Sequence, residues 1–193
     1  MKTVAVIMAG GKSSRMGQDK ALLPVDGRPR LSVLAERWRG VFDGLMISAD
    51  TRERFAGLDL SGARIVEDVR PGAGPMAGLE AVMTAVPADR YFLTAVDLPF
   101  GDPALAVELA GRMGDADTCL IQRTGRGWEP LFALYGRSCL PTISAALDQG
   151  KRSFYRGLLP FVTVQKVPEE SLPDFRLDRL LLNTNTPEEW KSL

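Results

Sequence analysis

The side chains with the clearest chemical potential crowd into one segment, Met8-Ala9-Gly10-Gly11-Lys12-Ser13-Ser14-Arg15-Met16-Gly17-Gln18-Asp19-Lys20. Gly10 and Gly11 carry no side chain, so backbone amides there can approach phosphate oxygens closely. Lys12, Arg15 and Lys20 put three cations within nine residues, enough to meet a polyphosphate. The spacing excludes two familiar nucleotide loops. A P-loop ending in Lys12-Ser13 needs glycine at position 6, which is Val6, and the dinucleotide fingerprint needs glycine where Lys12 stands. A solvated loop with incidental cations is the competing reading of the segment alone.

Carboxylates supply the second half of the chemistry. Asp97 follows the apolar run Tyr91–Val96 and precedes Leu98-Pro99, which halts a strand and turns the chain. Mg²⁺ is commonly held by one or two carboxylates together with waters and substrate phosphates, so Asp97 can serve as its ligand. A plain turn or helix cap is the alternative. Asp68 ends another predicted strand, where it can touch a nucleotide, and Asp50 ends a third, where a surface charge explains it nearly as well. Gly74-Pro75-Met76-Ala77-Gly78 joins a turn to a helix start, and its small residues permit close approach of a base or acceptor. A helix-entry turn accounts for it equally.

The chain has no histidine. That removes the commonest general base, the usual catalytic triads and most zinc sites. A phosphate monoester acceptor suits such a chain, because its oxygen is already ionised near neutral pH. The protein then needs only to align that oxygen with the α-phosphorus of a nucleoside triphosphate and disperse charge.

These residues need a scaffold, and hydrophobic periodicity predicts one. Val4–Met8 is a continuous apolar run, as expected of a buried parallel strand. Leu31, Leu34, Ala35 and Trp38 make a helical stripe. Strands are predicted at Leu45–Ser48, Arg64–Glu67, Tyr91–Val96 and Thr118–Gln122, with Glu129–Tyr135 extended. Leu79, Val82, Met83 and Val86 mark a second helix after Gly74-Pro75, and Leu105, Leu109 and Met113 a third. Thr186-Pro187-Glu188-Glu189 is a capping box that starts a last short helix. Strands alternating with helices imply a mostly parallel sheet covered on both faces, a Rossmann-like architecture with ligands at the carboxyl edge.

The length of 193 residues fits one domain, 1–193, with no repeat or interdomain linker. Lys plus Arg and Asp plus Glu each number 24, a balance that argues against non-specific nucleic-acid binding. Cys119 and Cys139 lack CxxC spacing and read as buried free thiols of a reducing cytoplasm. The apolar start is followed at once by Gly10-Gly11-Lys12 without a cleavage site, and no apolar stretch reaches membrane-spanning length. A cytoplasmic protein without a membrane partner is expected.

The segment Gly10 to Lys20 closely resembles the signature loop of nucleotidyltransferases related to the molybdenum cofactor guanylyltransferase (MobA) family. Further matches follow in family order: Val66-Glu67-Asp68, Gly74-Pro75-Met76-Ala77-Gly78, Val96-Asp97-Leu98-Pro99-Phe100, Glu129-Pro130-Leu131 and Asn183-Thr184-Asn185-Thr186-Pro187-Glu188. The resemblance covers essentially the whole chain and implies a three-layer α/β/α nucleotidyltransferase fold. It also implies a Mg²⁺-dependent transfer of GMP from GTP to molybdopterin-bound molybdenum, giving the guanine dinucleotide cofactor and pyrophosphate. Proteins of molybdenum insertion and molybdoenzyme maturation are the partners it suggests.

Carried over residue by residue, Met8, Ala9, Gly10, Gly11, Lys12, Lys20, Asp50, Asp68, Gly74, Pro75 and Asp97 bind the nucleotide. Lys20, Arg15 and Asp97 are catalytic, and Asp97 holds the metal. The family often has Asn where this chain has Asp50, which weakens that transfer. Residues 1–100 would mainly bind nucleotide and 101–193 mainly the acceptor. From their own chemistry, Arg152, Asn183 and Asn185 are candidate acceptor contacts, Arg152 for the pterin phosphate and the asparagines as donors to it or to complete the metal shell, with a surface cation and helix capping as the alternatives. Trp128 and Trp190 are read as packing residues. A cytidylyltransferase acting on molybdopterin, a sugar-phosphate nucleotidyltransferase and a non-catalytic nucleotide- or cofactor-binding module remain the competing functions.

Overall fold

The structure is a computed structural model that describes residues 1–10 and 19–183. Gly11, Lys12, Arg15, Asn185, Trp190 and the helix predicted at Pro187 lie outside the described residues. The first half runs β1 (Thr3–Met8), the ribbon β2 (Pro24–Val25) and β3 (Arg28–Pro29), α1 (Arg30–Trp38), β4 (Leu45–Ala49), β5 (Arg64–Glu67), α2 (Pro75–Ala85) and β6 (Arg90–Ala95). The second runs α3 (Pro103–Arg112), β7 (Thr118–Arg123), β8 (Gly127–Gly136), α4 (Leu140–Asp148), α5 (Phe154–Gly157), β9 (Val164–Pro168) and α6 (Leu177–Leu180).

Seven strands form one sheet in the order β5-β4-β1-β6-β8-β7-β9. Six run parallel, and β8 runs antiparallel to both β6 and β7. All six residues of β1 are buried, as its unbroken apolar run requires of a strand covered on both faces.

Helices cover both faces, and the register shows which is which. Ala5 pairs with Phe92 and Met8 with Ala95, so Phe92 and Met8 point to opposite sides. On the Phe92 side, Trp38 of α1 lies 5.1 Å from the Phe92 ring and 6.2 Å from Phe132. On the Met8 side, Gly78 of α2 sits against Met8 and Ser48. Successive strands step outward from β1 to β4 and β5, and the chain then crosses back to β6. Right-handed crossovers in opposite directions place α1 and α2 on opposite faces.

Cys119 and Cys139 are free and buried, and burial pushes their thiols up to about 11 and about 12. No helix among the described residues is long and apolar enough to cross a membrane.

Candidate active site

The reversal of strand order between β1 and β6 makes a switch point, where loops at the carboxyl ends diverge and open a crevice. β5, β4, β1 and β6 end at Glu67, Ala49, Met8 and Ala95 on that one edge. Asp68, Asp50, Gly10 and Asp97 therefore follow in a row across four neighbouring strands. At one strand spacing per step, the row spans about 14 Å, the scale of an extended nucleoside triphosphate.

A cavity of about 210 Å³ occupies the β1–β6 end of this row, lined by Met8, Ala9, Gly10, Asp19, Lys20, Arg54, Pro75 and Asp97, with Leu131 reaching in from β8. Lys20 opens a short 3₁₀ turn, Lys20–Leu22, which Asp19 caps by accepting a hydrogen bond from the Ala21 amide at 3.0 Å. The turn sets Lys20 Nζ 3.8 Å from Asp97 Oδ2. Sequence places these two residues 77 positions apart; the fold brings them together.

Asp97 caps no helix among the described residues. The N-cap of α3 is Asp102, which accepts from the Ala104 amide at 2.8 Å. Asp97 Oδ1 is buried and has no hydrogen-bond partner among the described residues. A buried carboxylate oxygen in that condition is an acceptor open to a cation, a water or a donor.

The other end of the row is a second cavity, about 370 Å³, lined by Met8, Gly10, Asp50, Asp68, Pro71, Gly72, Gly74 and Pro75. Asp68 accepts from Ser48 Oγ at 3.0 Å. Burial raises the Asp68 pKa, the Ser48 bond pulls it back, and the charge of Asp50 raises it again, leaving it above the usual range. At Asp50, partial burial also pushes upward. The hydrogen bond and charge of Arg54, with backbone amides, outweigh that and hold the Asp50 carboxyl low.

Glycines make these approaches possible. A Cβ on Gly10 would stand 3.2 Å from Asp68 Oδ2. On Gly78 it would collide with Ser48 Oγ and reach Met8 Cε at 2.6 Å. Gly74 takes φ +83°, a left-handed conformation that favours glycine, just before Pro75 opens α2.

Every described residue expected to bind nucleotide thus lines one of two adjoining cavities, which share Met8, Gly10 and Pro75. The expected acceptor contacts do not join them. Arg152 is exposed and donates at 3.1 Å to the carbonyl of Gly72, a lining residue of the second cavity, and Asn183 is exposed. Trp128 is half-buried, with its backbone N–H donating to the Tyr155 hydroxyl at 3.2 Å.

Two arginines of the site were not signalled by sequence. Arg54 lines the first cavity and contacts Ala9, Asp19 and Asp50. Arg30, the first residue of α1, is completely buried; burial lowers its pKa and the charge of Asp97 opposes that. Asp97 is therefore within electrostatic reach of two cations, Lys20 and Arg30. A separate cleft of about 450 Å³, with Arg37, Arg176 and Arg179 on its walls, lies along Phe100–Pro103.

Residues 5–164 match the family model of the MobA-like NTP transferase domain. A probable molybdenum cofactor guanylyltransferase of Synechococcus elongatus is 37% identical over 202 residues, covering 100% of this chain and 98% of that protein. Another of that name, from Carboxydothermus hydrogenoformans, is 35% identical over 99% of this chain and 94% of its own length. The crystal structure of molybdopterin-guanine dinucleotide biosynthesis protein A from Archaeoglobus fulgidus superposes with a TM-score of 0.81 over 98% of this chain and 95% of that one, and its 24% identity speaks for the fold. With a matching family model over most of its length and full-length relatives above 30% identity, the chain belongs to the MobA-like NTP transferase family.

Proposed function

We propose that the protein transfers GMP from GTP to the phosphate of the molybdenum–molybdopterin cofactor, forming the guanine dinucleotide cofactor and pyrophosphate. The observation that carries this reading is the meeting of Gly10, Lys20 and Asp97 around one cavity, next to a second cavity bearing Asp68. The names of the full-length relatives supply the guanine and the molybdenum cofactor.

The acceptor's phosphate oxygen attacks the α-phosphorus, and the bond from that phosphorus to the β-phosphate oxygen breaks. No proton needs removing from an ionised monoester, which agrees with a chain lacking histidine. Lys20 spreads the negative charge that grows on the transferred and leaving phosphates. Asp68, backed by Ser48, offers a carboxylate that accepts from the N1–H and exocyclic amine of guanine. Gly10 lets the triphosphate pass between the two cavities close to backbone.

The free Oδ1 of Asp97 fits Mg²⁺. Asp97 would hold the ion, which when bound supplies positive charge against the phosphate oxygens and otherwise keeps its waters. We place the nucleotide mainly on residues 1–100 of a single domain and the acceptor mainly on 101–193, with Arg152 and Asn183 as its contacts. Lys12 and Arg15 keep the nucleotide-binding and catalytic roles expected of them, and Asn185 stays a candidate acceptor contact. The buried free thiols favour a cytoplasmic enzyme. The molybdoenzyme-maturation proteins that would take its product are those the family resemblance suggests.

The test offers each of the four α-³²P-labelled triphosphates in turn, with Mg²⁺ and molybdenum-loaded molybdopterin. Label from GTP should enter the pterin product with release of one pyrophosphate. Label transferred from CTP instead, or only to a sugar phosphate, would replace this reading. Tight GTP binding without pyrophosphate release would make the protein a binding module.

A further inference from the structure

Gly10 and Lys20 line the same cavity, and each directly follows a residue held by Arg54. Arg54 lies on the 3₁₀ turn Glu53–Phe55 beyond β4, with its guanidinium 4.9 Å over the Phe55 ring, which is buried. Its Nε and Nη2 both donate to Asp19 Oδ2, at 3.0 and 2.6 Å. Its Nη1 donates to the Ala9 carbonyl at 3.2 Å and to Asp50 Oδ1. The other oxygen of Asp19 caps the turn that carries Lys20. One planar group thus links the end of β1, the turn bearing Lys20, and the aspartate at the end of β4.

The charges agree with a positioning role. Asp19 and Asp50 are carboxylates beside a cavity that must accept a polyphosphate, and each would repel it. Arg54 pairs with both while only a fifth of its side chain is exposed. Its remaining contacts, to a carbonyl and a ring face, need the flat, forked geometry of a guanidinium and not a point charge.

We propose that Arg54 is a positioning residue for the nucleotide chemistry. It fixes Lys20 opposite Asp97 by tying Asp19 to the Ala9 carbonyl, and Asp50 is the anchor that aims the guanidinium. The proposal rests on the reading that this cavity takes a nucleoside triphosphate.

The experiment is a double-mutant cycle in steady-state kinetics, using whichever triphosphate the wild-type protein accepts. A wild type that takes none refutes the functional reading, whereas a wild type that turns over tests Arg54 alone. Arg54→Met and Arg54→Lys should each lower kcat/KM for the triphosphate by ~10–100-fold, as expected when a catalytic group is shifted by about 1 Å. The KM for the acceptor should stay within about twofold. Asp19→Asn keeps the capping oxygen but loses the ion pair, and should produce a loss of the same order. Arg54→Met combined with Asp19→Asn should be no worse than the worse single variant, because both break one linkage. Losses that multiply in the double variant, or wild-type kcat/KM in Arg54→Lys, would overturn the proposal. The lysine variant and Asp19→Asn carry the test if Arg54→Met folds poorly.

Discussion

Lys20 and Asp97 face each other at 3.8 Å, each with about a quarter of its side chain exposed. An ion pair of that exposure contributes little stability. Lys20→Ala should therefore leave the melting temperature nearly unchanged yet lower kcat by ~10²–10³-fold, the usual cost of an aimed electrostatic donor. Single-turnover transfer assays check this, and a near-normal rate would remove Lys20 from the mechanism. Asp68 makes a pH prediction. A base that donates to its carboxylate binds fully above the Asp68 pKa and loses affinity as pH falls through it. Because burial raises that pKa, the loss should set in at higher pH than an unperturbed aspartate would give. Ser48→Ala deletes the bond that stabilises the anion, so triphosphate affinity should fall off at still higher pH. An unmoved midpoint would exclude Asp68 as the base acceptor. Asp68 and Asp97 were legible in the sequence because each ends a short apolar run before a turn. Arg54 was not: an arginine four residues after an aspartate reads as a surface pair, and no spacing reveals Asp19 as its partner 35 residues back.

Among the elements, α2 carries the tightest constraint. Its first turns press Gly78 onto Met8, which lines both cavities, and onto Ser48, which donates to Asp68. Gly78→Ala should cost about 1–3 kcal/mol through overpacking and lower the melting temperature by several degrees. Displacing Ser48 should also weaken triphosphate binding, so calorimetry and nucleotide titration should move together. A stable variant with normal affinity would show that α2 can slide away from the sheet freely. Boundaries of the buried parallel strands and of α1 to α3 follow closely from apolar periodicity, with β5 reproduced residue for residue. The direction of β8 does not. Its run of extended residues pairs equally well either way, and only the hydrogen-bond register with Phe92 and Leu120 settles it as antiparallel. The ribbon at 24–29 is too short for a periodic signal, although Asp26-Gly27, with φ +49° and +77°, is the dipeptide such a turn demands.

Across the whole molecule, strand order does the assembling. Asp68, Asp50, Gly10 and Asp97 come from positions 68, 50, 10 and 97, an order that sequence scrambles and the sheet arranges in line. On the proposed reading, a triphosphate along that line would put its base toward β5 and its phosphates toward the β1–β6 switch point, where Lys20 stands opposite Asp97. The most direct measurement is a crystal structure of the protein with GTP and Mg²⁺. The metal is expected on Asp97, the phosphates beside Gly10 and Lys20, and guanine against Asp68. A nucleotide seated instead in the cleft of Arg37, Arg176 and Arg179, with Lys20 and Asp97 untouched, would contradict it.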